Sequence, residues 1–199
     1  MDTSTGTITY FVHQSLDGFI EGPGGEFDWP VMGPELSAHS RELTGAADVF
    51  LYGRVVWELM AGYWPEAEEH STDEHDLAFA PVWREARKVV VSTTLGEAGW
   101  NARVIGADVV EELTALKAGG AHLLLFGGST LAAHLTEHGL IDDYQILVHP
   151  VVLGGGRPVF PGPLKRFGLE LVESRVLDGR VVLLRHRPVR DESLAADGS

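Results

Sequence analysis

Apolar residues fall along this chain in two rhythms. Short β-branched and aromatic runs predict strands at 7–13 (TITYFVH), 47–53 (ADVFLYG), 87–92 (RKVVVS) and 122–126 (HLLLF), with a weaker one at 101–105 (NARVI). Between them, apolar positions recur every three or four residues, predicting helices over 34–44, 54–63, about 75–85, 108–120 and 129–139. Pro34 suits a first helical turn, and Asp108 is a candidate cap for the helix that ends on Gly119-Gly120. DDYQILVHPVV (142–152) reads as a further strand. LELVESRVLDGRVVLLRHRP (169–188) reads as two strands joined at Asp178-Gly179, a strong hairpin signal.

Strands that alternate with helices imply an α/β fold with a mainly parallel central sheet covered on both faces. The closing hairpin adds an antiparallel edge. No internal repeat or linker divides the chain, so residues 1–189 are expected to form one domain and 190–199 a polar C-terminal tail. Two stretches stand apart as loops. SLDGFIEGPGGEFDWP (15–30) carries four glycines and two prolines, and loops of this length in compact domains are usually functional. VVLGGGRPVF (151–160) is a second glycine-rich loop.

Composition narrows the chemistry. The 199 residues include no cysteine, which excludes disulfides, thiolate chemistry and cysteine-ligated metals. No metal site is expected: the acidic stretch EHSTDEHD (69–76) sets its histidines five apart and reads as a solvated face. A net charge of −14 argues against a nucleic-acid partner. No apolar run approaches a membrane span, and MDTSTGTITYF has neither a basic n-region nor an apolar h-region. A cytoplasmic location is expected. In so acidic a chain, an anionic ligand must be held by backbone dipoles and a few placed cations.

Three strand ends could do this: Gly53-Arg54, Ser92-Thr93-Thr94 and Gly127-Gly128-Ser129-Thr130. Ligands of open α/β sheets bind outside the carboxyl ends of the strands, where helix N-termini present free N–H groups. Glycine lets the backbone approach a phosphate with no Cβ in the way. Each turn also has a plain structural reading, as a helix cap or a strand terminator.

SLDGFIEG, FDW, LYGRVVWE, KVVVSTTL, LLLFGGSTLAAHL and LIDDYQILVHPVVLGGGRPVF occur in an order that resembles the dihydrofolate reductase-like superfamily. Within it, the chain is most similar to the reductase domain of the bacterial bifunctional riboflavin-biosynthesis deaminase–reductase and its stand-alone relatives, over roughly residues 6–187. The resemblance implies a three-layer α/β fold and an NADPH-dependent reductase acting like 5-amino-6-(5-phosphoribosylamino)uracil reductase. A dihydrofolate reductase, or a nucleotide-binding protein without turnover, are the alternatives.

By the same resemblance, Gly127, Gly128, Ser129 and Thr130 would cradle the cofactor pyrophosphate and Gly53-Arg54 would contact its phosphates. Ser92 and Thr93 would meet the adenosine 2′-phosphate. Asp17 and Trp29, from the long loop, would lie nearest the substrate, with Asp17 and Glu35 the candidate catalytic carboxylates. A homodimer is the family's habit, and the apolar strand QILVHPVV offers a surface for it.

Overall fold

A computed structural model describes residues 5–189, so the tail expected at 190–199 lies outside the described residues. Its centre is an eight-stranded sheet in the order β5-β4-β3-β6-β1-β7-β10-β9. The strands are β1 (Ile8–Ser15), β3 (Val49–Gly53), β4 (Lys88–Val91), β5 (Ala102–Ile105), β6 (Leu123–Phe126), β7 (Asp143–His149), β9 (Leu169–Leu177) and β10 (Val181–Pro188). β1 pairs in parallel with β6 and β7, and β3 in parallel with β4 and β6. β10 runs antiparallel to both β7 and β9, as the closing hairpin requires. The short strands β2 (Phe19–Glu21) and β8 (Arg157–Pro158) form a separate antiparallel pair. They join the two glycine-rich stretches expected to be loops, which single-strand periodicity could not reveal in runs so short.

Alternation along the parallel strands divides the core in two. Ile8, Tyr10, Val12, Leu51, Leu123 and Leu125 face α5 (Val109–Ala118) and α6 (Ser129–Glu137). Phe11, Phe50, Tyr52, Leu124, Phe126 and Leu147 face α1 (Pro34–Ala46), α2 (Arg54–Tyr63) and α4 (Glu74–Glu85). The result is the expected three-layer α/β arrangement. β7, offered by the sequence as a surface for a partner, lies inside the sheet between β1 and β10 and is almost wholly buried. Its continuous apolar run marks a strand covered on both faces.

Two local expectations change. Asp108 precedes α5 in the left-handed region at φ 50° and its side chain makes no capping bond. The acidic stretch 69–76 is only partly solvated: α3 (Ala67–His70) leads into α4, and His75 is buried with its ring stacked on Phe79. Among the described residues, no helix is long and apolar enough to cross a membrane.

The hairpin turn also caps α1. Asp178 and Gly179 have φ of 54° and 63°, the left-handed pair that a tight two-residue hairpin turn needs. From there the Asp178 carboxylate accepts the backbone N–H groups of Glu35 (2.9 Å) and Leu36 (3.1 Å). The Glu35 carboxylate accepts the Asp178 N–H in return. Gly33 is required beneath this contact, since a Cβ there would lie 2.2 Å from Asp178 Cγ. Asp178→Ala removes the cap from α1 and the residue type that tolerates positive φ. It should lower stability by about 1–3 kcal/mol, read as a fall in the urea midpoint at constant slope.

Candidate active site

The site is assembled by chain reversal about β1. From β1 the chain moves outward through β3, β4 and β5, then returns to insert β6 between β3 and β1 and to lay β7 on the far side. Ligands of open α/β sheets bind at such a switch point, outside the carboxyl ends of the strands. A cleft of about 350 Å³ lies there. A larger hollow of about 590 Å³ opens at the opposite edge, but it contains none of the residues expected to bind a ligand. Its main charged pair is already matched, with Arg185 Nε 2.7 Å from Asp143.

The carboxyl-edge cleft brings together Gly53, Arg54, Gly128, Ser129 and Thr130. Gly127 and Gly128 have φ of 48° and 69°, so both occupy the left-handed region that excludes a β-branched residue. Gly127 donates to Phe11 O (2.9 Å), tying the turn to β1. Gly128 then stands as the N-cap of α6 with no side-chain cap, leaving first-turn N–H groups free. Ser129 is fully buried and its Oγ has no partner. An uncapped helix start, a glycine approach and an unsatisfied hydroxyl together suit an anionic group.

The cations of the cleft are both engaged by carboxylates. Arg54 Nη1 lies 2.8 Å from Glu58 Oε1, a half-exposed pair one helical turn apart. Across the cleft, Arg157 Nε lies 2.6 Å from Glu21 Oε1. Arg157, Glu21 and His134 also line the cleft and were not singled out from sequence. The run of three glycines before Arg157 was the available signal. Gly156 sits at φ 123° with its Cα so close to β2 that a Cβ would fall 1.9 Å from Glu21 O.

The other expected residues lie elsewhere. Ser92 follows β4, whose last residue Val91 pairs with Gly53, but its hydroxyl accepts the N–H groups of Thr94 (3.2 Å) and Leu95 (3.0 Å). Thr93 is exposed, and neither residue lines the cleft. Asp17 is exposed and its carboxylate accepts the N–H groups of Leu153 (3.1 Å) and Gly154 (2.8 Å). Hydrogen bonds, first with Ser15 and then with these amides, hold its pKa below the usual value. Its geometry is that of a loop clamp. Glu35 is engaged by Asp178 and is absent from the cleft.

Trp29 belongs to a second cluster, on the α1 side of the same edge. Its ring stands edge-on to His149 with centroids 5.3 Å apart, and Phe27 packs beside it at 5.6 Å. His149, at the end of β7, places Nε2 2.8 Å from Nδ1 of His13, near the end of β1. Neither histidine was anticipated, because each sits within an apolar strand run. Burial lowers the His13 pKa to about 3, with the neighbouring His149 adding to the effect, and burial lowers that of His149 to about 4.

The RibD C-terminal domain family model matches residues 6–183 of the chain. An uncharacterized Bacillus subtilis (strain 168) protein, YyaP, is 34% identical over 172 residues, spanning 84% of this chain and 87% of that protein. A solved candidate riboflavin-biosynthesis protein from Shewanella sp. PV-4 superposes with a TM-score of 0.71 at 20% identity, covering 92% of this chain and 99% of that one. An Enterococcus faecalis dihydrofolate reductase complexed with NADP(H) superposes with a TM-score of 0.61 at 15% identity, covering 94% and 98%. The fold is therefore dihydrofolate reductase-like.

The histidine pair carries a pH signature. Both folded pKa values lie below the ordinary 6.5, so the unfolded chain binds more protons between pH 6.5 and the folded values. Stability should fall as pH drops through that window, by up to about 1.4 kcal/mol per pH unit for each histidine. His149→Phe should flatten the denaturation midpoint against pH between 6.5 and about 4 relative to the wild type. An unchanged slope would show that the ring is solvated.

Proposed function

This chain belongs to the RibD C-terminal domain family, and from that premise we propose that it is an NADPH-dependent reductase of the riboflavin-biosynthesis type. The observation that carries this reading is the turn after β6. Gly127 and Gly128 hold left-handed conformations, α6 starts without a side-chain cap, and the buried Ser129 hydroxyl has no partner. These residues fit a pyrophosphate, which accepts N–H and O–H donors and tolerates no Cβ at the approach. Arg54 and Arg157 supply the cationic walls. Ser92 and Thr93 are assigned at most a peripheral role at the adenosine end, because the Ser92 hydroxyl is committed to its own turn.

When bound, the nicotinamide supplies the hydride; the protein supplies position and exclusion of water. The acceptor lies on the α1 side of β1, between Phe11, Phe27 and Trp29, beside the histidine pair. Asp17 serves by fixing the β1–β2 turn against the loop after β7, which holds the cleft wall formed by β2 and Arg157. Glu35 is assigned to the cap of α1, and this disfavours the folate reading, which needs a carboxylate free to face a pterin ring. The reaction takes place in the cytoplasm. The homodimer is assigned to β9, an edge strand whose Leu171, Val172 and Val176 are exposed. Sedimentation should give a dimer that Leu171→Lys dissociates, since a buried unpaired charge is strongly unfavourable.

Calorimetric titration tests the cofactor. One NADPH should bind per chain, and Arg54→Ala should weaken it roughly ten- to hundredfold, the loss of about 1.5–3 kcal/mol from a charge-assisted contact. Glu58→Gln should tighten it, because Arg54 no longer has to be shared with a carboxylate 2.8 Å away. Absence of NADPH and NADH binding would overturn the reading. Gly128→Val is a poor probe here, as φ of 69° strains any β-branched residue whatever the ligand.

A further inference from the structure

β1 and β7 place two imidazoles in contact at the carboxyl edge of the sheet. His13 Nδ1 and His149 Nε2 are 2.8 Å apart, so one of them carries the shared proton. Fixing which one fixes the tautomer of both rings, because burial keeps both uncharged at neutral pH, His13 down to about 3 and His149 to about 4.

The surroundings decide the direction. His149 is 1% exposed, and its Nδ1 is buried with no partner. The indole Nε1 of Trp29 is also buried and unpartnered, in the ring that stands edge-on to His149. A proton on His149 Nδ1 would leave two N–H donors orphaned in contacting rings. A bare Nδ1 leaves one orphan donor beside one orphan acceptor, and buried N–H groups are the costlier ones to leave unpaired. The second arrangement is therefore favoured. His149 carries its proton on Nε2 and donates to His13 Nδ1, which leaves His13 protonated on Nε2.

That Nε2 has no protein partner, and His13 is only half-buried, so its N–H opens toward the edge. The walls around it are flat. Phe11 and Phe27 stand edge-on to His13 at centroid distances of 5.4 Å and 6.4 Å. The double glycine is one strand away, through the bond from Gly127 N–H to Phe11 O.

We propose that His13 is a substrate-specificity residue. Its Nε2–H donates to a carbonyl oxygen or bare ring nitrogen of a planar, uncharged heterocycle, and the order Trp29, His149, His13 keeps that proton in place. His149 and Trp29 are then positioning residues acting through His13. The assignment rests on the reductase reading for the identity of the bound ring, but not for the tautomer. An uncharged donor between aromatic walls suits a neutral acceptor, while an anionic group would be held by arginines, Arg54 and Arg157 at the cleft or Arg180, whose charge acts on His149.

Long-range ¹H–¹⁵N spectra of the histidine rings read the tautomer directly in the free protein. His13 and His149 are both expected as Nε2-protonated neutral rings at pH 7. A proton on Nδ1 of His13, or an imidazolium, would overturn the proposal. In a second arm, 6-aminouracil, a pyrimidine with two ring carbonyls, is added to the full-length protein with and without NADPH. The His13 Nε2 resonance should shift, and His13→Phe, which keeps the aromatic packing, should bind 6-aminouracil roughly tenfold more weakly with NADPH affinity unchanged. His149→Phe should weaken 6-aminouracil as well and mix the His13 tautomers. Equal affinity in wild type and His13→Phe, or an unmoved His13 resonance, would overturn the subsite. Failure of NADPH to bind would instead defeat the reductase reading alone, since the tautomer and the 6-aminouracil titration of the free protein still judge His13.

Discussion

The candidate site depends on one constraint: β1 is hydrogen-bonded on both sides by parallel strands, β6 and β7. Parallel neighbours must all end on the same edge, and each is reached by a crossover that starts or finishes there. The turn at Gly53, the turn at Gly127-Gly128 and the two histidines therefore collect along one line. β1 supplies more than position. Its Phe11 carbonyl takes the Gly127 N–H, while His13, two residues on, meets His149 from the other neighbour. The glycine turn and the histidine pair are thus held by residues two apart on a single strand.

Electrostatics at this edge follow from an acidic chain. With a net charge of −14, free cations would be drawn to surface carboxylates, and both arginines of the cleft are. Such half-exposed pairs contribute little to stability, so a phosphate can compete for the guanidinium at small cost. The backbone has no such competitor. Free N–H groups at the start of α6 keep their polarity in any charge environment, which makes the glycine turn the steadier half of the site.

The loops around the cleft are held by short-range locks rather than by burial. Asp17 binds two amides of the loop after β7, β2 pairs with β8, and Gly156 presses against Glu21 O. The hairpin at the carboxyl end of β7 uses the same device, with Asp178 and Glu35 capping each other across the turn and α1. Carboxylates that look catalytic by their place in a motif are spent on backbone N–H groups. Among the described residues, the buried polar atoms without a partner include three uncharged ones at this edge, Ser129 Oγ, Trp29 Nε1 and His149 Nδ1.

Periodicity alone determined the helices, the parallel strands and the hairpin of this protein, because each buries a local pattern whose repeat differs between helix and strand. The glycine turn after β6 was legible for a similar reason: two adjacent glycines between a buried strand and a helix state a backbone requirement. Pairing across the chain was not legible. β2 and β8 lie 136 residues apart at their Arg157–Glu21 contact, and neither has a pattern long enough to announce a strand. The histidine pair is equally distant, and each member reads as one polar residue in an apolar run. Whether Asp17 and Glu35 face a ligand or a backbone amide depends on where a remote loop arrives. Sequence fixes which groups a residue can offer; only tertiary structure decided which partners had already taken them.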